Sequence, residues 1–214
     1  MAVVTERVRA VLLLEQAAGY GLASLAALPA GGLGRPTPCA GWTVADLLGH
    51  LRESMAALQE ATDHGAVALL PPAGPHTGPP AELAGPPAGP ADPVAAVRAG
   101  AARLLAGWRR WAARPGPACV PVRVGGLPVP GDTVALVGAL ELAVHGWDLA
   151  RACADARPIP APLALAILRR APQLADASTR TAMFAAPVPV SPLAAPSDRL
   201  VAFLGRDPAH PAAG

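Results

Sequence analysis

The chain contains no lysine. Its 17 basic residues are all arginine, set against 15 acidic residues for a net charge of +2. With 27 prolines and a large share of alanine, this reads as the codon bias of a GC-rich genome rather than a functional choice. The arginines are spread along the chain and interleaved with acids, so no basic block marks a nucleic-acid surface. Aromatic residues are scarce at 3%, while hydrophobic residues reach 52%. Alanine, leucine and valine must therefore fill the core, which suits close helix packing better than a β-sandwich built on β-branched and aromatic side chains. Only three cysteines occur, Cys39, Cys119 and Cys153, and their spacing is neither CxxC nor a zinc-finger pattern. That argues against a disulfide framework and for a reducing cytoplasm. The start, "MAVVTERVRAVLLLEQ", lacks the long apolar run of a signal peptide, because Glu6 and Glu15 bracket it. The charge-free stretch from Gln16 to Gly34 is a poor membrane span, broken by five glycines and a proline. A chain of 214 residues suits one domain with a small appendage.

What is present is helical periodicity. Val8, Val11, Leu12, Glu15 and Leu22 predict a helix from about Thr5 to Leu28, ended by "PAGGLGRPTP". Thr43 and Asp46 form a capping-box pattern that starts a second helix, with Val44, Leu47, Leu48, Leu51, Met55 and Leu58 as its inner stripe. Nine prolines in the 23 residues from Pro71 to Pro93 predict a long loop. Asp92 as N-cap and Pro93 in the first turn open a third helix to about Ala113. "PGPACVPVRVGGLPVPGD" predicts a non-helical crossover, with "CVPVRV" as a short edge strand. A fourth helix, capped by Asp132 or Thr133, runs to about Ala154. A fifth covers about Pro162 to Ala177, disturbed at Pro172, and "DRLVAFLG" forms a short last helix. Four main helices with one long crossover give an all-α four-helix bundle. Residues 1–157 are expected to form the bundle, with 71–93 as its Pro/Gly-rich loop, and residues 158–214 a C-terminal helical extension packed on it.

In the fourth helix, "ELAVHGWDLARA" sets a carboxylate and an imidazole at i and i+4, Glu141 and His145, on one face of an apolar segment. An ionised carboxylate there costs several kcal/mol unless it is compensated. A divalent metal can use this spacing, and His50, on or beside the buried face of the second helix, is the most economical third ligand. His64, His76 and His210 sit at the edge of the loop, inside it and near the C-terminus. The alternative is that Glu141 and His145 form a side-chain pair on an exposed flank and that His50 is a satisfied boundary residue, because short motifs of this kind recur by chance.

"TPCAGWTVADLLGHL" at residues 37–51 and "ELAVHGWDLARA" resemble the two motifs of the mycothiol-dependent maleylpyruvate isomerase family, within the DinB-like metal-binding superfamily. "SDRLVAFLGRDP" at 197–208 is similar to the ending of the actinobacterial metal-binding subgroup. The resemblance implies a DinB-like up-and-down four-helix bundle with short C-terminal helices and a divalent metal, zinc first, at one end. It places the ligands at His50, Glu141 and His145. Two histidines and one glutamate leave such an ion with a net charge of about +1 and an open position, the catalytic rather than the structural pattern.

The resemblance further implies mycothiol, a low-molecular-weight thiol, as co-substrate, with its sulfur attacking an electrophile in a transferase or isomerase reaction. A metal-dependent hydrolase and a non-catalytic metal-containing binding module are the alternatives. Asp46 and Asp148 could each accept from a ligand histidine, with Asp46 read first as the N3 cap. Trp42 and Trp147 read as core anchors. Cys39 reads as a small buried residue, or else a reactive thiol near a helix start. The expected partners are the thiol and a small electrophile, with neither nucleic acid nor membrane. "VLLLEQAAGYGLASLAAL" is a candidate face for a homodimer.

Overall fold

The computed structural model describes residues 2–68, 92–115, 120–175 and 184–210. The segment 71–91 with His76, Cys119, and the expected fifth helix beyond residue 175 lie outside the described residues. Four long helices form a bundle: α1 Ala2–Ala26, α2 Val44–Asp63, α3 Pro93–Ala113 and α4 Gly131–Ala152. α4 packs along α1 and against α2, while α3 packs on α2 and α1 and closes the ring. Sequence neighbours α1 and α2 therefore stand diagonally opposite, as do α3 and α4. Among the described residues, three short helices follow: α5 Ala161–Leu168, α6 Ala171–Leu174 and α7 Pro196–Phe203. α5 touches α1, α4 and α7.

The start of α2 follows from its residues. Thr43 Oγ1 accepts from the amide of Asp46, and Asp46 accepts in return from the amide of Thr43, a complete capping box. All six residues of the expected α2 stripe are buried. Asp92 caps α3 by accepting from the amides of Val94 and Ala95.

α4 begins one residue before its expected caps. The strand Leu127–Pro130 runs straight into it, and the amide of Gly131 donates to the carbonyl of Val120. It is long and apolar enough to cross a membrane, yet 83% of its most apolar window is buried by the rest of the protein. α1, α2, α5 and the small sheet surround it, so its composition is that of a central core helix. Its contact with α1 is close: a Cβ on Gly146 would lie 2.9 Å from Cα of Gly21. It ends at Ala154, which adopts φ 60, with the amide of Asp155 bonding back to the carbonyl of Ala150 in a Schellman stop.

Packing chooses the inner face of α1, and one expectation about the strands needs correction. On α1, Val8 and Leu12 are exposed, and the buried face consists of Ala10, Val11, Leu14, Ala17, Ala18 and Leu25. In a segment apolar nearly all round, small alanines rather than the larger side chains mark the tightest interface. The strand expected in "CVPVRV" covers only its last four residues and is not an edge strand. β2 (Pro121–Val124) is the middle of a three-stranded sheet, paired in parallel with β1 (Ala66–Val67) and antiparallel with β3 (Leu127–Pro130). Gly125 and Gly126, both at positive φ, make the two-residue hairpin turn. Pro121 and Pro130 close the end of the hairpin, opposite each other, and Pro128 lies on β3, an outer strand of the sheet.

Candidate metal centre

α2 and α4 bring the three sequence-selected side chains together. Nε2 of His50 lies 3.3 Å from Oε2 of Glu141, and Nε2 of His145 lies 3.4 Å from the same oxygen. One donor atom from each residue falls within 4.8 Å of the other two. Both short distances match the edge of a tetrahedron with metal–ligand bonds near 2.0–2.1 Å, about 3.3–3.4 Å. They are longer than the roughly 2.7–2.9 Å of a charge-assisted hydrogen bond. The spacing and the nitrogen/oxygen donor set thus fit a divalent cation. Side-chain exposure falls from 33% at His50 to 16% at Glu141 and 10% at His145, so the centre opens on the His50 side.

Around this triad lies a second cluster. Nδ1–H of His145 donates to Oδ2 of Asp148 at 2.9 Å, which turns Nε2 toward Glu141. The same oxygen accepts from the thiol of Cys39 at 3.2 Å and from Nη2 of Arg206 at 3.1 Å. Nη2 of Arg206 also donates to Sγ of Cys39 at 3.4 Å. Cys39, His145 and Asp148 are close enough to one another to be a second metal triad. The guanidinium already bound to two of them supplies the cation there. The His50 triad is therefore the one left for a metal.

The electrostatics follow from these contacts. Burial pushes the Glu141 carboxyl up, but the imidazoles of His145 and His50 beside it, through long hydrogen bonds and charge, outweigh it and hold the group well below the usual carboxylate range. Burial pushes His145 down, but Asp148, Cys39 and Glu141 hold it well above an ordinary histidine. Burial likewise raises Asp148, and Arg206 and His145 bring it down to about 2. Arg206 is disfavoured by burial, yet Asp148 raises it above its ordinary value and keeps it charged. Without a metal the centre is a chain of alternating charges.

Arg206 reaches this place because α7 stops abruptly. The amide of Gly205 bonds to the carbonyl of Ala202 and that of Arg206 to Val201, a second Schellman stop with Gly205 at φ 83. The turn throws Arg206 back toward α4. Trp42 is half-buried: it packs against the edge of the core and also meets the ring of His50 edge-on at 5.1 Å between centroids. Trp147 is fully buried, as expected. Cys39 is half-buried and lines the site, contrary to its reading as a small core residue. Asp46 is a helix cap, and Asp148 supports His145. Sequence reasoning missed Arg206: the "LGR" after a short apolar helix signals the stop, but not the partner 58 residues away.

A cavity of about 360 Å³ opens over the triad, lined by Trp42 and by Phe184, Leu204 and Arg206 of the C-terminal segment. A family model described as the mycothiol maleylpyruvate isomerase N-terminal domain matches residues 14–150, well over half of the chain. That span holds His50, Glu141, His145, Asp148 and Cys39, but not Arg206. No curated protein and no solved structure matches the chain.

Proposed function

The chain belongs to the mycothiol maleylpyruvate isomerase N-terminal domain family. From that premise we propose that it binds a divalent metal and uses a low-molecular-weight thiol of the mycothiol type against an electrophile, as a transferase or isomerase. His50, Glu141 and His145 hold the ion, and zinc suits two imidazoles and one carboxylate with an open position. The observation that carries this reading is the convergence of their donor atoms, at 3.3 and 3.4 Å, on the floor of a cavity.

When bound, the ion supplies Lewis acidity that makes a thiol nucleophilic at neutral pH. The protein's own groups do the rest. Asp148 fixes the ring of His145 through its Nδ1–H. Arg206 neutralises Asp148, so that this buried carboxylate does not compete for the cation. Trp42, Phe184 and Leu204 keep water from part of the cavity. Cys39 and Cys153 are both unpaired, in keeping with the reducing cytoplasm that a thiol co-substrate needs.

The test is metal content by elemental analysis of wild type, His50→Ala and Glu141→Ala, followed by thiol consumption with an electrophile panel. We expect about one ion per chain in the wild type, lost in both variants. Wild-type protein that stays metal-free after reconstitution would refute the reading. Metal-loaded protein that consumes electrophile by hydrolysis, without thiol, would replace it with a hydrolase.

A further inference from the structure

A second cavity, of about 610 Å³, opens between the first half of α1, the start of α4 and the end of α5. It shares no described lining residue with the cavity over the triad. Asp132, which lines it, stands nine residues before Glu141 on α4. At about 100° per residue the two carboxylates leave opposite sides of that helix, so this groove faces away from the metal centre. Its buried lining residues are apolar, Ala10 and Leu136, with Leu13 and Ala166 half-buried beside them. The exposed ones are charged: Glu6 and Arg9 from α1, and Arg169 and Arg170 from the end of α5, with Asp132 half-buried. Three guanidiniums and two carboxylates thus surround one opening. Among the described residues no ion pair or side-chain hydrogen bond engages any of the five. The carbonyl end of α5 offers Arg169 a partial counter-charge. Arg170 follows it directly, Arg9 brings a third cation from another helix, and an anion shared among them would relieve their repulsion.

We propose that this groove is a second ligand site, for an amphipathic organic anion: an apolar body that carries a single phosphate or carboxylate group. The forked donors of Arg9, Arg169 and Arg170 take the anionic group, whose oxygens they match in geometry. Ala10, Leu13, Leu136 and Ala166 take the body. Glu6 and Asp132 limit the charge the site accepts. Three positive and two negative side chains leave a surplus of one, so a single anionic group is favoured, while further anionic groups on the same body meet two carboxylates. The volume lies within the ordinary range of small-molecule sites. The site needs neither the metal nor the thiol, and so stands apart from the chemistry proposed for the triad.

The test is calorimetric titration of metal-loaded wild-type protein with 2-naphthyl phosphate, 2-naphthoate, inorganic phosphate and naphthalene-1,3,6-trisulfonate. At least one of the two naphthyl monoanionic-group compounds should bind, and the tighter of them identifies the group. It should bind about tenfold or more tightly than inorganic phosphate, because its ring covers apolar surface. The trisulfonate, with the same body and three anionic groups, should bind more weakly than the tighter compound. Arg169→Gln with Arg170→Gln should weaken that compound about tenfold or more, the scale of lost charge-assisted hydrogen bonds. Arg169→Lys with Arg170→Lys should keep part of the affinity, since the charge remains. Both pairs are exposed, and a urea midpoint checks that each variant is folded; Arg9→Gln repeats the test from α1 if the α5 variants are not. His50→Ala should bind the compound as the wild type does. Failure of both naphthyl compounds to bind, equal binding of inorganic phosphate, tighter binding of the trisulfonate, or folded arginine variants that bind as the wild type does would overturn the proposal. Binding lost in His50→Ala would overturn it too, by placing the ligand at the triad.

Discussion

Replacing Gly146 with alanine tests the packing that holds the centre together. In a helix interior alanine is favoured over glycine by about 0.8–1.0 kcal/mol. At Gly146 that gain meets a barrier. An added Cβ would sit 2.9 Å from Cα and 3.2 Å from N of Gly21, and 3.0 Å from Cδ1 of Tyr20. Two of these atoms are backbone, so α1 and α4 must part by roughly 0.6–1 Å to reach ordinary carbon contact. Overpacking of this kind costs about 1–3 kcal/mol, and the rigid neighbours place it at the upper end. The net effect should be a loss of about 1–2 kcal/mol, or a fall of roughly 2–8 °C in Tm for a domain of this size.

Gly19, on α1, and Gly49, on α2, have nothing within 4 Å of an added Cβ. Gly19→Ala and Gly49→Ala should each gain about 0.5–1 kcal/mol. The assay is thermal and urea unfolding of metal-free protein, followed by circular dichroism. Gly146 and Gly49 each adjoin a triad histidine, so metal affinity should fall in Gly146→Ala and hold in Gly49→Ala. If all three variants shifted stability in the same direction, the close α1–α4 approach would be wrong.

Ala154→Gly should stabilise the protein by about 0.5–1 kcal/mol, because it relieves a left-handed alanine at the end of α4 without touching a side-chain contact; urea unfolding reads this directly. Thr43→Ala should cost about 1 kcal/mol through loss of the α2 cap, with Thr43→Ser restoring most of it in the same assay. For metal-free protein, Glu141 and Asp148 contribute stability above their ordinary values of 4.5 and 3.8, and lose it as pH falls through their depressed ones. His145 contributes fully below its ordinary 6.5 and loses its share as pH rises through its raised value. Urea midpoints of metal-free protein should therefore peak between about pH 4.5 and 6.5. Metal uptake should strengthen with rising pH, since the ion displaces the proton on His145; chelator competition at several pH values checks this.

Much of the bundle is legible in local patterns. The Thr43–Asp46 box, the Asp92 cap and the α2 stripe are all set by residues within one or two turns of each other. The convergence of Glu141 and His145 is equally local, fixed by helical spacing, and the motif around His50 supplied the third member. The faces of α1 could not be read because Ala, Leu and Val surround it, and only packing on α4 shows which side is inward. The hairpin signal, two glycines between short strands, was present in "VRVGGLPV" but hidden among prolines. Cys39 and Arg206 were beyond reach for another reason: their roles exist only through Asp148, 109 and 58 residues away.

That reliance on one carboxylate oxygen sets an order of assembly. His50, Glu141 and His145 all leave the ribosome about 60 residues before Arg206, roughly 3–12 s at ordinary rates of synthesis. During that interval the nascent bundle can present its three donors while Asp148 still lacks its counter-charge and the cavity lacks part of its lining. Closure by α7 and Arg206 comes last, and it brings the counter-charge of Asp148 and completes the lining over the three donors.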